Sequence, residues 1–234
     1  MREGTQFTPA VAIAVAALFL GVNVASLVGL WMWVDRRPAP VEIRRSSGAE
    51  VALRWRDWTA GRIFPEGLRY GVEGQTEMAT RVGIGTGTDC ASAVDPGLRP
   101  ALAAGRCRAL LRATYLDQMQ GIAVTLGVAA FPDERAAYRA RQAIPGGPPW
   151  LRALPLAGTP AADFDDSVRQ TGTADRAGPY VVLATAGQAD GRPAGAAPDN
   201  RPGLFDSVPQ LAQTLAAALA DPATPPCDAR TRQC

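Results

Sequence analysis

From Thr8 to Val34 the chain runs for 27 residues without a charge: TPAVAIAVAALFLGVNVASLVGLWMWV. At about 1.5 Å per residue a helix of that length is longer than the ~30 Å hydrocarbon core of a bilayer. Asn23 and Ser26 are its only strongly polar interior members. A buried core helix this long would carry a polar face, and none is written here. Trp31 and Trp33 stand at one end, where indole rings favour the headgroup level. The pattern predicts a transmembrane helix over 8–34. A cleaved signal peptide would have an apolar core of about 7–15 residues followed by a small-x-small site. Trp-Met-Trp-Val-Asp offers no such site, so an uncleaved anchor is expected.

Past residue 50 the periodicity shortens. VALRWRDWTA (51–60) alternates apolar and polar positions and predicts a short element leading into the domain. RCRALLRATYLDQ (106–118) and GIAVTLGVAAF (121–131) read as a β-hairpin turning around Met119–Gly121. Pro132 then opens PDERAAYRARQAI, where a first-turn proline, early acids and alanines predict a helix that Gly146 to Pro149 end. A second strand pair is expected at 166–174 and 180–188. DSVPQLAQTLAAALAD (206–221) predicts a final helix with Asp206 as N-cap and Pro222 beyond its end. Strand-strand-helix twice over implies an α+β domain, an antiparallel sheet with helices on one face. The expected organisation is a short tail (1–7), the membrane helix (8–34), a Pro/Arg/Ser juxtamembrane linker (35–50), the α+β domain (51–221) and a tail (222–234).

Composition removes much chemistry. All 24 basic residues are arginine, and the chain has neither lysine nor histidine. That excludes a Ser-His-Asp or Cys-His nucleophile pair, a lysine Schiff base, a P-loop lysine and any zinc site using histidine. Residues 63–234 balance 16 arginines against 17 acids, which argues against nucleic-acid binding.

Charge and cysteine placement disagree about sidedness. Residues 35–62 carry seven arginines against four acids, which by the positive-inside rule favours a cytoplasmic domain. Large domains, however, translocate largely regardless of flanking charge. The cysteines are Cys90, Cys107, Cys227 and Cys234, with no CxxC. The first two bracket a short helical stretch, DPGLRPALAAGR, and the last two a polar hexapeptide, DARTRQ. Such a tail is better explained as a disulfide loop than as core, although four cysteines leave three connectivities open. Disulfides persist outside the cytoplasm, so an extracytoplasmic domain on the cell membrane is the expectation taken.

The remaining motifs are weak. Within the membrane helix Ala17, Gly21, Ala25 and Gly29 recur every four residues, a spacing that lets two helices approach closely and form a homodimer. GIGTG (83–87) lacks the G-x-G-x-x-G spacing of a dinucleotide site and reads as a loop. Asp163, Asp165 and Asp166 lack calcium-loop spacing and read as a solvated turn before a strand. Arg135, Arg139 and Arg141, with Asp133 and Glu134 near the start of the same helix, complement its dipole. No catalytic residue, metal ligand or cofactor is expected.

Arg62-Ile-Phe-Pro, Tyr70, Cys90, the run Cys107-Arg-Ala-Leu-Leu-Arg-Ala-Thr-Tyr and Val128 to Ala137 resemble single-pass envelope proteins of high-GC Gram-positive bacteria. The resemblance covers the anchor and roughly residues 55–145. It implies the same topology and a cysteine pair, and no catalytic residues, because that group has no assigned function. A fainter likeness is to extracellular sensor domains of bacterial kinases. The expected role is therefore non-catalytic: an envelope accessory, scaffolding or ligand-sensing protein whose partners are the lipid bilayer and an envelope protein. The alternative is an envelope enzyme using carboxylates on glycan, which would need two facing carboxylates about 5–9.5 Å apart.

Overall fold

The computed structural model describes residues 9–35, 40–72, 74–147, 150–193 and 203–221. The chain divides into a unit that holds the apolar helix and a compact unit, Gly48–Ala223.

Helix α1 spans Pro9–Asp35. Its stretch Ile13–Met32 has a mean hydropathy of 2.3, with none of it buried, and is long and apolar enough to cross a membrane. Its two interior polar side chains bond within the helix. The Asn23 amide donates to the Phe19 carbonyl at 2.7 Å and the Ser26 hydroxyl to that of Val22 at 2.8 Å. A helix in lipid would need such internal satisfaction, because lipid offers no partner of its own. Ala17, Gly21, Ala25 and Gly29 are all exposed.

Helix α2, Pro40–Asp57, replaces most of the expected linker at 35–50 and the alternating element at 51–60. The reason is a period misread. Val51 and Arg54 are buried and Trp55 and Trp58 half-buried, an i, i+3, i+4, i+7 series that fits one helical stripe. Arg54 anchors the stripe with only 1% of its side chain exposed. It grips Glu50 one turn back through two bonds of 2.8 and 2.6 Å. The same guanidinium donates to the carbonyls of Leu219 and Asp221, both at 2.8 Å. A short helix, α3 (Ala60–Ile63), follows, capped by the Thr59 hydroxyl.

Six strands form one sheet: β1 (Gly67–Val72), β2 (Gln75–Ile84), β3 (Ala109–Leu116), β4 (Ile122–Ala130), β5 (Arg169–Ala177) and β6 (Tyr180–Gln188). Their spatial order is β1-β2-β3-β4-β6-β5, and every pairing is antiparallel. The two expected hairpins are β3–β4 and β5–β6, the latter with its first strand starting at Arg169 instead of 166. The β1–β2 hairpin was not expected. Between β2 and β3 a 3-10 turn (Pro96–Leu98) leads into α4, Arg99–Ala104. Helix α5 (Glu134–Ala143) starts one residue after its cap, Asp133, whose carboxylate accepts from the Ala136 amide at 2.7 Å. Pro132 thus stands before the cap and outside the first turn. Helix α6 covers Ser207–Ala220, and Asp206 makes no side-chain capping bond.

The expectation of helices on one face is corrected. One face of the sheet, with Tyr115, Leu126, Val128 and Val182, packs on Leu211 and Leu215 of α6. The opposite face, with Leu110, Ala129, Val181 and Leu183, packs on α4 and α5 through Leu102, Ala136 and Ala140. Every residue of β4 and β6 is buried. Their sequences, IAVTLGVAA and YVVLATAGQ, are apolar or small at nearly every position, as strands covered on both sides must be. Helix α6 touches β5, β6 and β1, so both outermost strands meet the same helix.

Between α4/α5 and the far end of the second face, the segment 150–156 lies across the strands. Its large side chains rest on glycines: Trp150 on Gly172, Leu151 on Gly127, Leu154 on Gly85 and Leu156 on Gly83. A Cβ at Gly127 would stand 2.7 Å from a Leu151 methyl. Its backbone is held by Thr114, whose hydroxyl donates to the Leu154 carbonyl at 2.8 Å, and by Thr125, which accepts from the Leu154 amide at 3.0 Å. Asp95 and Arg169 pair through two contacts of 3.0 and 3.1 Å beneath it. Burial pushes the Asp95 acid up, but Arg169 and the Trp150 amide outweigh it and hold the carboxyl below the usual range.

Candidate functional site

A cleft of about 680 Å³ opens where three parts of the compact unit converge. The β1–β2 hairpin supplies Tyr70 and Glu77, the β3–β4 turn Asp117 and Met119, and the start of α6 Asp206, Ser207 and Gln210. The volume falls within the range of small-molecule sites, roughly 300–1,000 Å³.

Cross-strand register places Tyr70 opposite Glu77. The phenol donates to Glu77 Oε2 at 2.7 Å and accepts from the Gln118 amide at 3.1 Å, which ties the hairpin to the β3–β4 turn. Burial, followed by the bond to Glu77 and its negative charge, pushes the Tyr70 phenol up to about 12 against the opposing Gln118 bond. The turn is set locally. Asp117 accepts from the Ile122 amide at 2.7 Å, and Gln120 takes a positive φ of 57°. Gln210 completes the wall, because its amide both accepts from Gly71 N–H at 2.8 Å and donates to Gly71 C=O at 3.1 Å.

Apolar surface alternates with these polar groups. Ile122 is nearly buried at the floor, Leu204 is half-buried, and Met119 is 83% exposed at the rim. Ser207 is only 9% exposed, and its hydroxyl has no hydrogen-bond partner among the described residues. Chemically the described lining of the cleft combines three carboxylates, one protonated phenol, one hydroxyl and an apolar floor.

The residues singled out in the sequence lie elsewhere. Asp165 accepts from the Ser167 hydroxyl and amide at 2.6 and 2.7 Å, which hold its carboxyl below the usual range. Asp166 binds Arg152 and the Ala153 amide, so these acids shape a turn before β5. No group of three acidic, cysteine or histidine side chains that could hold a metal exists among the described residues. On α5, Arg141 donates to the Ala174 carbonyl at 3.0 Å, and GIGTG ends β2 and enters a loop. Cys90 and Cys107 form a disulfide with Cα atoms 6.4 Å apart. Cys227 and Cys234 lie outside the described residues.

Sequence reading missed Tyr70, Glu77, Asp117 and Asp206 as a group. They come from segments up to 136 positions apart and share no motif. The one available signal was the alternation of Leu68 and Tyr70 in GLRYGV before a Gly-containing turn, which marks a strand.

No protein-family model, curated protein or solved structure matches the chain.

Proposed function

We propose that this is a single-pass protein of the bacterial cell membrane whose α+β domain lies outside the cytoplasm. In this reading it works without catalysis, as an accessory, scaffolding or ligand-sensing part of an envelope assembly. The observation that carries the reading is one chain holding both an apolar helix, unburied over Ile13–Met32, and a domain closed by the Cys90–Cys107 disulfide. Reducing compartments keep such cysteines as thiols, and exported domains keep them paired. The resemblance to single-pass envelope proteins points the same way. Sensing would use the cleft above the β3–β4 turn, which is built from three separate segments.

The alternative, a glycan hydrolase using carboxylates, draws on Glu77, Asp117 and Asp206 in one cleft. Against it, Glu77 and Asp117 already accept structural hydrogen bonds from Tyr70 and Ile122. The deciding experiment is labelling in intact cells with a thiol reagent that cannot cross membranes. The protein stays unlabelled until a reductant is added from outside, and then reacts at Cys90 or Cys107. Labelling only after lysis, without reductant, overturns the extracytoplasmic reading. Glycan turnover that Asp206→Asn or Glu77→Gln abolishes overturns the non-catalytic one.

A further inference from the structure

We propose that the surface around helix α5 docks an acidic polypeptide, a segment of a partner protein rich in aspartate and glutamate. This rests on the reading of the chain as part of an envelope assembly and names the chemistry of its partner. In the compact unit five arginine side chains make no hydrogen bond, ion pair or ring contact among the described residues: Arg69, Arg106, Arg108, Arg135 and Arg139. The last four gather at α5. Arg135 and Arg139 stand exposed one turn apart, away from the buried Ala136, Ala137 and Ala140. Arg106 and Arg108 are exposed just past α4, which packs on α5: a Cβ at Gly105 would stand 2.8 Å from that of Ala140. Tyr138 is 52% exposed on the same helix, with the guanidinium of Arg176 5.8 Å from its ring centroid. Of the acids beside them, Asp133 is bound to the Ala136 amide and Asp175 to that of Arg176. The free Glu134 offsets only one of the four charges.

The fold does not call for these cations. Arg141 in the last turn of α5 suits the helix dipole, but Arg135 in the first turn opposes it. Arg106 holds a φ of 58°, a left-handed conformation that glycine adopts at less cost. Charges kept where they do not serve stability fit a role in recognition. Guanidinium groups pair with carboxylates through two parallel bonds, and tyrosine and arginine are the side chains most enriched at protein interfaces. A lipid surface fits less well, because peripheral membrane contact adds apolar insertion and Tyr138 is the only large apolar side chain exposed here among the described residues. Charge complementarity therefore selects an acidic protein partner.

The test uses the full chain in phosphatidylcholine nanodiscs, with fluorescence anisotropy of a labelled deca-glutamate peptide and amide NMR. Saturable binding is expected, with shifts confined to 106–108 and 134–143 and with loss of binding at ~0.5 M salt. Arg135→Glu with Arg139→Glu weakens the peptide about tenfold, and Arg139→Gln alone about twofold. The melting temperature does not fall in either variant, since both side chains lack partners and a glutamate suits the first turn. Arg69→Glu, on the outer strand β1, leaves binding within about twofold of the wild type. No saturable binding, or an equal loss in Arg69→Glu and the double variant, overturns the proposal, the second because binding then follows net charge alone. Tighter binding to phosphatidylglycerol vesicles or to a deoxythymidine decamer overturns the polypeptide assignment in favour of lipid or nucleic acid. The intact-cell labelling reports on the envelope reading independently, so failure here leaves that reading standing.

Discussion

Replacing Arg54 by methionine keeps an unbranched side chain of similar reach while removing the guanidinium. Four bonds vanish: two to Glu50, and one each to the carbonyls of Leu219 and Asp221 at the end of α6. The contact with Trp58, whose ring centroid lies 4.5 Å from the guanidinium carbon, goes with them. Glu50 has 43% of its side chain exposed and regains water, so that half of the pair costs little. The carbonyls of α6 are different, because one of the two bonds is fully buried and the last turn loses its only cationic partner among the described residues. Hydrogen bonds to a charged group contribute about 1.5–3 kcal/mol each, and a cation at a helix C-terminus adds up to ~1 kcal/mol. Allowing for recovered hydration, the expected loss is about 3–4 kcal/mol, in the range for breaking a buried pair. For a domain of this size that lowers the melting temperature by roughly 10 °C. The assay is thermal and urea unfolding of the full chain in detergent, followed by tryptophan fluorescence. Arg54→Lys keeps the charge but loses the fork, so it recovers less than half of the loss. Arg56→Met, at an exposed pair with Asp57, changes stability by less than about 0.5 kcal/mol. A loss below about 1 kcal/mol in Arg54→Met, or wild-type stability in Arg54→Lys, refutes the claim that this side chain clasps α6.

Cys90→Ser with Cys107→Ser removes a cross-link between residues 17 apart and costs about 3 kcal/mol by the chain-entropy relation, read as a lower urea midpoint. Gly187→Ala drives its new methyl into the Val168 backbone carbonyl, which cannot move as a side-chain end would, whereas Gly121→Ala meets open space. Stability measurements should give a cost of about 2–4 kcal/mol for the first and under ~1 kcal/mol for the second; similar costs would contradict the contact. Tyr70 is held protonated up to about 12 in the fold against 10.0 unfolded. Its contribution is intact below pH 10 and is lost as pH rises toward 12, by roughly 2–3 kcal/mol. Tyr70→Phe therefore flattens the fall in stability between those values, and an unchanged slope would exclude this coupling.

Strands β3, β4 and β6 were legible because their runs are largely apolar and bounded by Gly, Asp and Pro, and the more polar β5 because turn residues separate it from β6. Those same runs also announced cover on both faces, since nine consecutive buried positions in IAVTLGVAA leave no polar side to face water. The β1–β2 hairpin hid behind residues such as Arg69, Glu77 and Arg81, whose polarity suits outer strands with one wet face. Helix α2 was lost to a short window in which Val51, Leu53 and Trp55 fit a period of 2, while Val51, Arg54, Trp55 and Trp58 fit 3.6. The cleft was illegible for another reason. Its chemistry depends on Asp117 in a turn, Tyr70 on an outer strand and Ser207 at a helix start, a convergence that exists only once the sheet has formed.

The clasp of Arg54 on α6 joins positions 165 and 167 residues apart. Synthesis delivers α2 before the first strand, and α6 after the last. Until α6 arrives, the apolar face that Leu211 and Leu215 will cover stands open, with both outer strands unguarded. Contacts of such long sequence separation form late and fold slowly. The emerging domain therefore passes through an interval in which a complete sheet waits for its closing helix. A chain that stops short of Ser207 would remain in that state, and recognition of the open sheet by cellular quality control would follow from the order of the elements alone.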